Sequence, residues 1–182
     1  MTTTLATVTI TTTTLTTATL TTARLTLRPH LLADYPVFRA FWMSDRTPHI
    51  GGPLRHEHEV WRQFTAEAGQ WHLHGFGLWT LVSKTGGTIL GWVGLQHPPH
   101  YDAPECAWHL IAEAEAHGLA HEAASAALAD GWGRLGLPRI ISYVSATNAR
   151  SLRLAERLGA VVTERGHFAG TDYALFDHRR GA

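Results

Sequence analysis

The residue types from which chemistry could be built are concentrated between Glu105 and Ala124 (ECAWHLIAEAEAHGLAHEAA). An apolar, strand-like run passes into a loop, and the loop enters a helix through His117-Gly118-Leu119-Ala120. Amides in the first turn of a helix lack intrahelical acceptors, and the positive end of the helix dipole lies beside them. Such a junction can cradle an anion such as a pyrophosphate. Gly118 allows a close backbone approach and dihedral angles closed to other residues. The segment matches neither the Walker A pattern nor GxGxxG, and it also reads as a plain helix start behind a tight turn. A second constellation lies downstream in SYVSATNARSLRLAERLGA (Ser142 to Ala160). There a strand leads to Asn148 and Ser151 at a helix start, with Asn148 in a capping position.

Other chemistries find less support. Cys106 is the single cysteine, which excludes an intramolecular disulfide and a CxxC metal site. The 13 histidines include His56-x-His58 and His72-x-His74, yet no HExxH is present and no metal site is expected. GxSxG is absent, so a hydrolase elbow is not indicated. Lys plus Arg and Asp plus Glu both number 15, giving no net charge and no basic surplus for a nucleic-acid partner. No apolar run reaches the roughly 20 residues that cross a bilayer, so no membrane partner is expected and the expected location is cytoplasmic.

The elements that must position these residues follow from periodicity and punctuation. Residues 1 to 22 hold 14 threonines and no charge, and read as a low-complexity, disordered or loosely docked leader. A single domain is expected over 23 to 182. Arg24 to His30 alternates as a strand, and Asp34 is placed to cap a helix through Phe38 and Phe41. His56 to Ala68 reads as a second helix. Gly77 to Ser83 and Thr88 to Leu95 form a hairpin about Lys84-Thr85-Gly86-Gly87. Glu105 to Ala112 is a further strand. An alanine-rich helix is expected from Gly118 to about Leu135, its small residues allowing a helix to lie close on a sheet. Arg139 to Ser145 is a strand, and Asn148 to Leu158 a helix. Val161 to Gly166 and Thr171 to Asp177 close the domain as a hairpin. This order predicts a mixed α/β (α+β) domain with helices packed on a mainly antiparallel sheet.

Four pieces in this order carry a resemblance: TARLTLRP (Thr22 to Pro29), GFGLWTLVSKTGGTILGWVGL (Gly75 to Leu95), EAHGLAHEA (Glu115 to Ala123) and NARSLRLAERLGA (Asn148 to Ala160). Together they resemble the GNAT superfamily of N-acetyltransferases, most closely the branch of ribosomal-protein N-terminal acetyltransferases. The resemblance implies splayed strands holding acyl-CoA, with acetyl-CoA as co-substrate. It implies that Leu110 and Ile111 pair their backbone with the pantetheine arm. It also implies that the amides of His117, Gly118, Leu119 and Ala120 bind phosphate oxygens, and that Asn148 lies near the thioester. Glu115 departs from the family pattern, which carries a polar or basic residue there. Glu105 is the implied base that takes the proton of the attacking ammonium, directly or through a water. The family tyrosine seven residues after the asparagine is replaced by Ala155, which leaves Ser151 to protonate or stabilise the departing thiolate. The implied acceptor is a protein N-terminal amine, with a small-molecule amine or a non-catalytic acyl-CoA-binding role as alternatives. The acceptor pocket is expected from segments 40 to 75 and 96 to 104, with Trp42, Trp61, Trp71 and Trp79 as lining or core residues. A homodimer is a common form for such domains.

Overall fold

The computed structural model describes residues 19–168 and 170–181, so most of the Thr-rich leader lies outside the described residues. The elements run β1 (Leu20–Thr21), β2 (Leu25–Arg28), α1 (Tyr35–Trp42), α2 (Glu57–His74), β3 (Leu78–Ser83), β4 (Ile89–Gln96), β5 (Glu105–Leu110), α3 (Leu119–Trp132), β6 (Ile141–Ser145), α4 (Ala149–Arg157), β7 (Val161–Phe168) and β8 (Thr171–Asp177). One sheet takes the order β1-β2-β3-β4-β5-β6-β8-β7. Every neighbouring pair is antiparallel except β5 and β6. That parallel pair has one bridge, Glu105 to Ile141.

Strand alternation sends successive side chains to opposite faces. Leu25, Leu27, Leu81, Val93, Leu95 and Cys106 join a core that includes Ala123, Ala124 and Ala127 of α3. Trp92, one residue before Val93, packs with Phe38, Phe41 and Trp42 of α1 and Val60 and Phe64 of α2. Both faces are therefore covered by helices, and β5 and β6 are the fifth and sixth of the eight strands.

Several boundaries depart from the sequence reading. Leu20–Thr21, within the expected leader, is a strand paired with β2, and Leu20 packs on the main core. Asp34 does precede α1, but its carboxylate does not cap it. The carboxylate is held by Arg28 through two 2.7 Å bonds and accepts from the Leu31 amide and the Thr80 hydroxyl. The alanine-rich helix stops at Trp132 rather than Leu135. Gly131 and Gly133 weaken its end, and the chain leaves through bonds from Leu135 N to Asp130 O and Leu137 N to Gly131 O. β5 ends at Leu110 because Ala112–Ala114 winds into a 3₁₀ turn. Among the described residues no helix is long and apolar enough to cross a membrane.

Candidate active site

The parting of β5 and β6 is built by side chains where ladder bonds would continue. Glu105 Oε1 accepts from Tyr143 N at 2.9 Å, and Ser142 Oγ donates to Cys106 O at 2.5 Å. The imidazole of His178 lies 2.9 Å from Ser142 Oγ. The one Ser142 hydrogen goes to Cys106 O, so His178 Nε2 must be the protonated nitrogen and donate to Oγ. Its Nδ1 is buried without a partner, and burial pushes the His178 pKa down to about 4. A second proton would sit unpaired in the interior. The unfolded chain takes that proton near pH 6.5 and the folded one only near 4, so stability present at pH 7 is lost as pH falls through this window. The loss reaches about 3 kcal/mol for this group. Urea unfolding at pH 7 and at pH 4.5 should show a smaller acid loss for His178→Gln than for the parent chain. Equal losses would remove His178 from the account.

Beyond this tie the β6-facing edge of β5 is open. Ile111 N donates to Leu90 O, while Cys106 O faces β6. Antiparallel alternation then turns the backbone groups of Trp108 and Leu110 toward the gap. Ile111 does not share this position. Its amide is engaged by Leu90 and its carbonyl accepts from Ala114 N at 3.1 Å, so the Ile111 amide is not free at this edge.

A cavity of about 1080 Å³ occupies the parting. Glu105, Asn148 and Ser151 all line it, so the structure brings these three predicted residues together. Trp108 Nε1 donates to Ser151 Oγ at 3.0 Å, which leaves the hydroxyl hydrogen to serve another acceptor. Asn148 Oδ1 accepts from Ser151 N at 3.2 Å, which caps α4 and leaves the amide NH₂ of Asn148 as a donor. Glu105 is 6 % exposed. Burial pushes its carboxyl up to about 7, against the opposing pull of bonds from Gln96 Nε2 at 2.6 Å and from Tyr143 N. Cys106 turns to the other face, where burial and the neighbouring Glu105 push its thiol up.

The remaining predicted residues, His117 to Ala120, form the junction of the preceding loop with α3, which does not line the cavity. Gly118 precedes the helix with φ +74°, and the first helical bond runs from Glu122 N to Gly118 O. The amides of Gly118, Leu119, Ala120 and His121 therefore precede any intrahelical acceptor. Arg24 fixes the loop by donating to His117 O at 2.9 Å and pairing with Glu122 at 2.7 Å. Glu115 is bound by both Arg46 and Arg150. One carboxylate between two guanidiniums leaves a positive balance beside the loop, and Arg150 joins the loop to the α4 end of the cavity.

Pro48 to Gly52 and Gln96, Pro98, His100 and Tyr101 contribute to the lining, all within the expected segments 40 to 75 and 96 to 104. Sequence reasoning missed another part of it. Trp71 and Trp79 are core and Trp61 is 44 % exposed, whereas Trp42 and Trp108 line the cavity. Tyr143 of β6 and His167, Phe168, Thr171 and Tyr173 of the β7–β8 hairpin also line it. In the sequence they read only as strand or turn residues, and no spacing signals a hairpin folded beside a distant carboxylate.

A sheet that opens between its two parallel strands, beside a helix start rich in unpaired amides, is the architecture of an acyl-CoA-dependent transferase. Residues 24–161 match the family profile of the acetyltransferase (GNAT) domain. An acetyltransferase from Agrobacterium tumefaciens is 32% identical, with 90% of this chain and 95% of that one covered at a TM-score of 0.83. The ribosomal-protein-S5-alanine acetyltransferase of Vibrio fischeri shares the fold at 19% identity, covering 88% and 95% with a TM-score of 0.69. So does the spermidine N-acetyltransferase of Vibrio cholerae, solved with CoA and spermine, at 17% identity, 84% and 94% coverage and a TM-score of 0.71. The chain belongs to the GNAT acetyltransferase family. It is an acetyl-CoA-dependent N-acetyltransferase that acts on an amine.

Proposed function

We propose that the amine is the N-terminus of a protein or peptide, acetylated by direct attack in a ternary complex. One observation carries this reading. The cavity runs from Asn148 and Ser151 to Glu105, and Glu105 is its only carboxylate among the described lining residues. A polyamine drawn wholly into the cavity needs a carboxylate in the lining for each of its buried charges. A peptide needs one group to take the proton of its single reacting amine and an open rim for the following residues. Phe168, 72 % exposed, stands at such a rim.

The roles follow from position. Amides of the 117–120 loop bind the phosphates of acetyl-CoA, with Glu115 already neutralised by Arg46 and Arg150. Trp108 and Leu110 pair with the pantetheine amides along the open edge of β5, and Asn148 donates to it from α4. Glu105, held near neutrality by its burial, takes the proton of the acceptor ammonium. The free amine adds to the thioester carbonyl, whose developing charge is met by a backbone N–H of β5. Collapse breaks the carbon–sulfur bond, and Ser151 donates its hydrogen bond to the departing thiolate. Holding both substrates in line supplies much of the remaining acceleration.

Turnover of acetyl-CoA with a panel of N-terminal peptides, set against spermidine, tests the reading. Peptides should be acetylated on the α-amine at saturable rates, with spermidine at least about tenfold poorer in kcat/KM, a gap of roughly 1.4 kcal/mol. Turnover of spermidine alone would overturn it.

A further inference from the structure

One wall of the cavity is aromatic. Tyr101 and Tyr143 stand with ring centroids 4.9 Å apart, and Tyr143 and Tyr173 5.3 Å apart. His100 abuts Tyr101 edge-on at 4.7 Å. The rings come from three separate segments: the β4–β5 loop, β6 and β8. All four residues line the same cavity as Glu105. Tyr143 and Tyr173 pack against a small core of Ala103, Ile141 and Leu175, and Tyr101 leans on Tyr143, so the row is set by packing.

The outer end of the row carries negative charge. Tyr173 Oη donates to Glu164 Oε1 at 2.6 Å. The phenol of Tyr143 is raised by burial and by Asp102, Glu164 and Glu105, with Arg139 the opposing charge. Arg139 is itself paired with Asp177 at 2.6 Å. His167 Nδ1 lies 2.8 Å from Asp172 Oδ1. Aromatic faces carry partial negative charge and attract cations, the more so when a carboxylate stands behind them. Gly166 makes the placement of Tyr173 feasible. A Cβ on Gly166 would lie 2.5 Å from Tyr173 Oη and 2.6 Å from its Cζ, so the ring lies across a position that any side chain would fill.

We infer that the row Tyr101, Tyr143 and Tyr173, with Glu164 at its outer end, is a subsite for a lysine or arginine side chain close to the N-terminus of the acceptor. The inference rests on the N-terminal-amine reading above and narrows it to peptides whose first residues carry a basic side chain. The reacting amine sits at Glu105 and loses its charge there. The second cation keeps its charge and lies along the rings toward Glu164.

The test uses otherwise identical peptides with Lys, Ala or Glu at their second and third residues, assayed with the whole chain. The Lys peptide should exceed the Glu peptide by at least about tenfold in kcat/KM, the scale of one desolvated cation–aromatic contact with a carboxylate behind it. Gly166→Ala, which displaces the Tyr173 ring, and Glu164→Gln should each pull the ratio toward one while turnover of the Ala peptide persists. A purely structural role for these residues would lower all three peptides together and leave the ratio intact. Equal rates on the three peptides, or a ratio that survives both variants, overturns the subsite and leaves the N-terminal reading standing. Turnover confined to spermidine overturns the parent reading and the subsite with it.

Discussion

Glu105→Gln should lower kcat by about 10²- to 10³-fold, the range over which a positioned general base acts. The substitution keeps the shape of the site. A glutamine carbonyl can accept from Tyr143 N as Glu105 Oε1 does, and its NH₂ can face Gln96 once that amide turns its oxygen inward. The loss then reports proton transfer and not collapse of the pocket, which an unchanged unfolding midpoint would establish. The pH profile separates the role further. Glu105 titrates at about 7 because burial penalises its charge. The carboxylate is the active form, so kcat/KM rises with pH through about 7 and levels above it. A peptide α-amine titrates on its own near 7.7–8.0 and adds a second limb. The parent enzyme should show both limbs and the glutamine variant the amine limb alone. A variant with the parental rate, or with both limbs intact, would remove Glu105 from the chemistry.

What the sequence disclosed divides along physical lines. Element types were legible because they rest on local periodicity and punctuation. The Lys84–Gly87 turn, the cap at Asn148 and the strand alternation about Trp92 and Val93 each act within a few residues. The helix starting at Gly118 was legible for the same reason. The end of that helix was not, because Gly131 and Gly133 loosen it before the stronger stop signals at Gly136 and Pro138. Leu20–Thr21 hid inside a threonine-rich run whose composition masks a two-residue pairing made by its partner strand. Glu105, Asn148 and Ser151 were singled out through motif order, and they line one cavity. The engaged amide of Ile111 was not legible, because sequence shows which residues lie near the end of β5 but not which edge each amide faces. Arg46 and Arg150 were invisible as partners of Glu115, being 69 and 35 residues away. The tyrosine row was invisible for the same reason, since only the folded sheet brings β6, β8 and the β4–β5 loop side by side.

The second large effect belongs to Gly118, and its cause is backbone conformation. With φ at +74°, this residue turns the chain so that the first amides of α3 are left without intrahelical acceptors. Space is not the constraint, because an added Cβ would meet only Arg24 Nη2 at 3.7 Å. Gly118→Val should therefore act by forbidding the left-handed geometry, which a β-branched residue rarely adopts. The loop would turn and aim its amides elsewhere, and acetyl-CoA affinity should fall about 30-fold, or roughly 2 kcal/mol. Gly118→Asn is the matched control. Asparagine tolerates the left-handed region, so this variant should stay within about threefold of the parent affinity, roughly 0.7 kcal/mol. Titration calorimetry with acetyl-CoA reads both, and the order of the two variants is the decisive quantity. If asparagine weakens binding as much as valine, the damage comes from any side chain at that position. The phosphates would then be held by Arg46 and Arg150, freed from Glu115, and not by the loop amides. If only valine weakens it, the left-handed turn at Gly118 is what makes the start of α3 an anion site, and the acidic Glu115 is harmless because its charge is already taken.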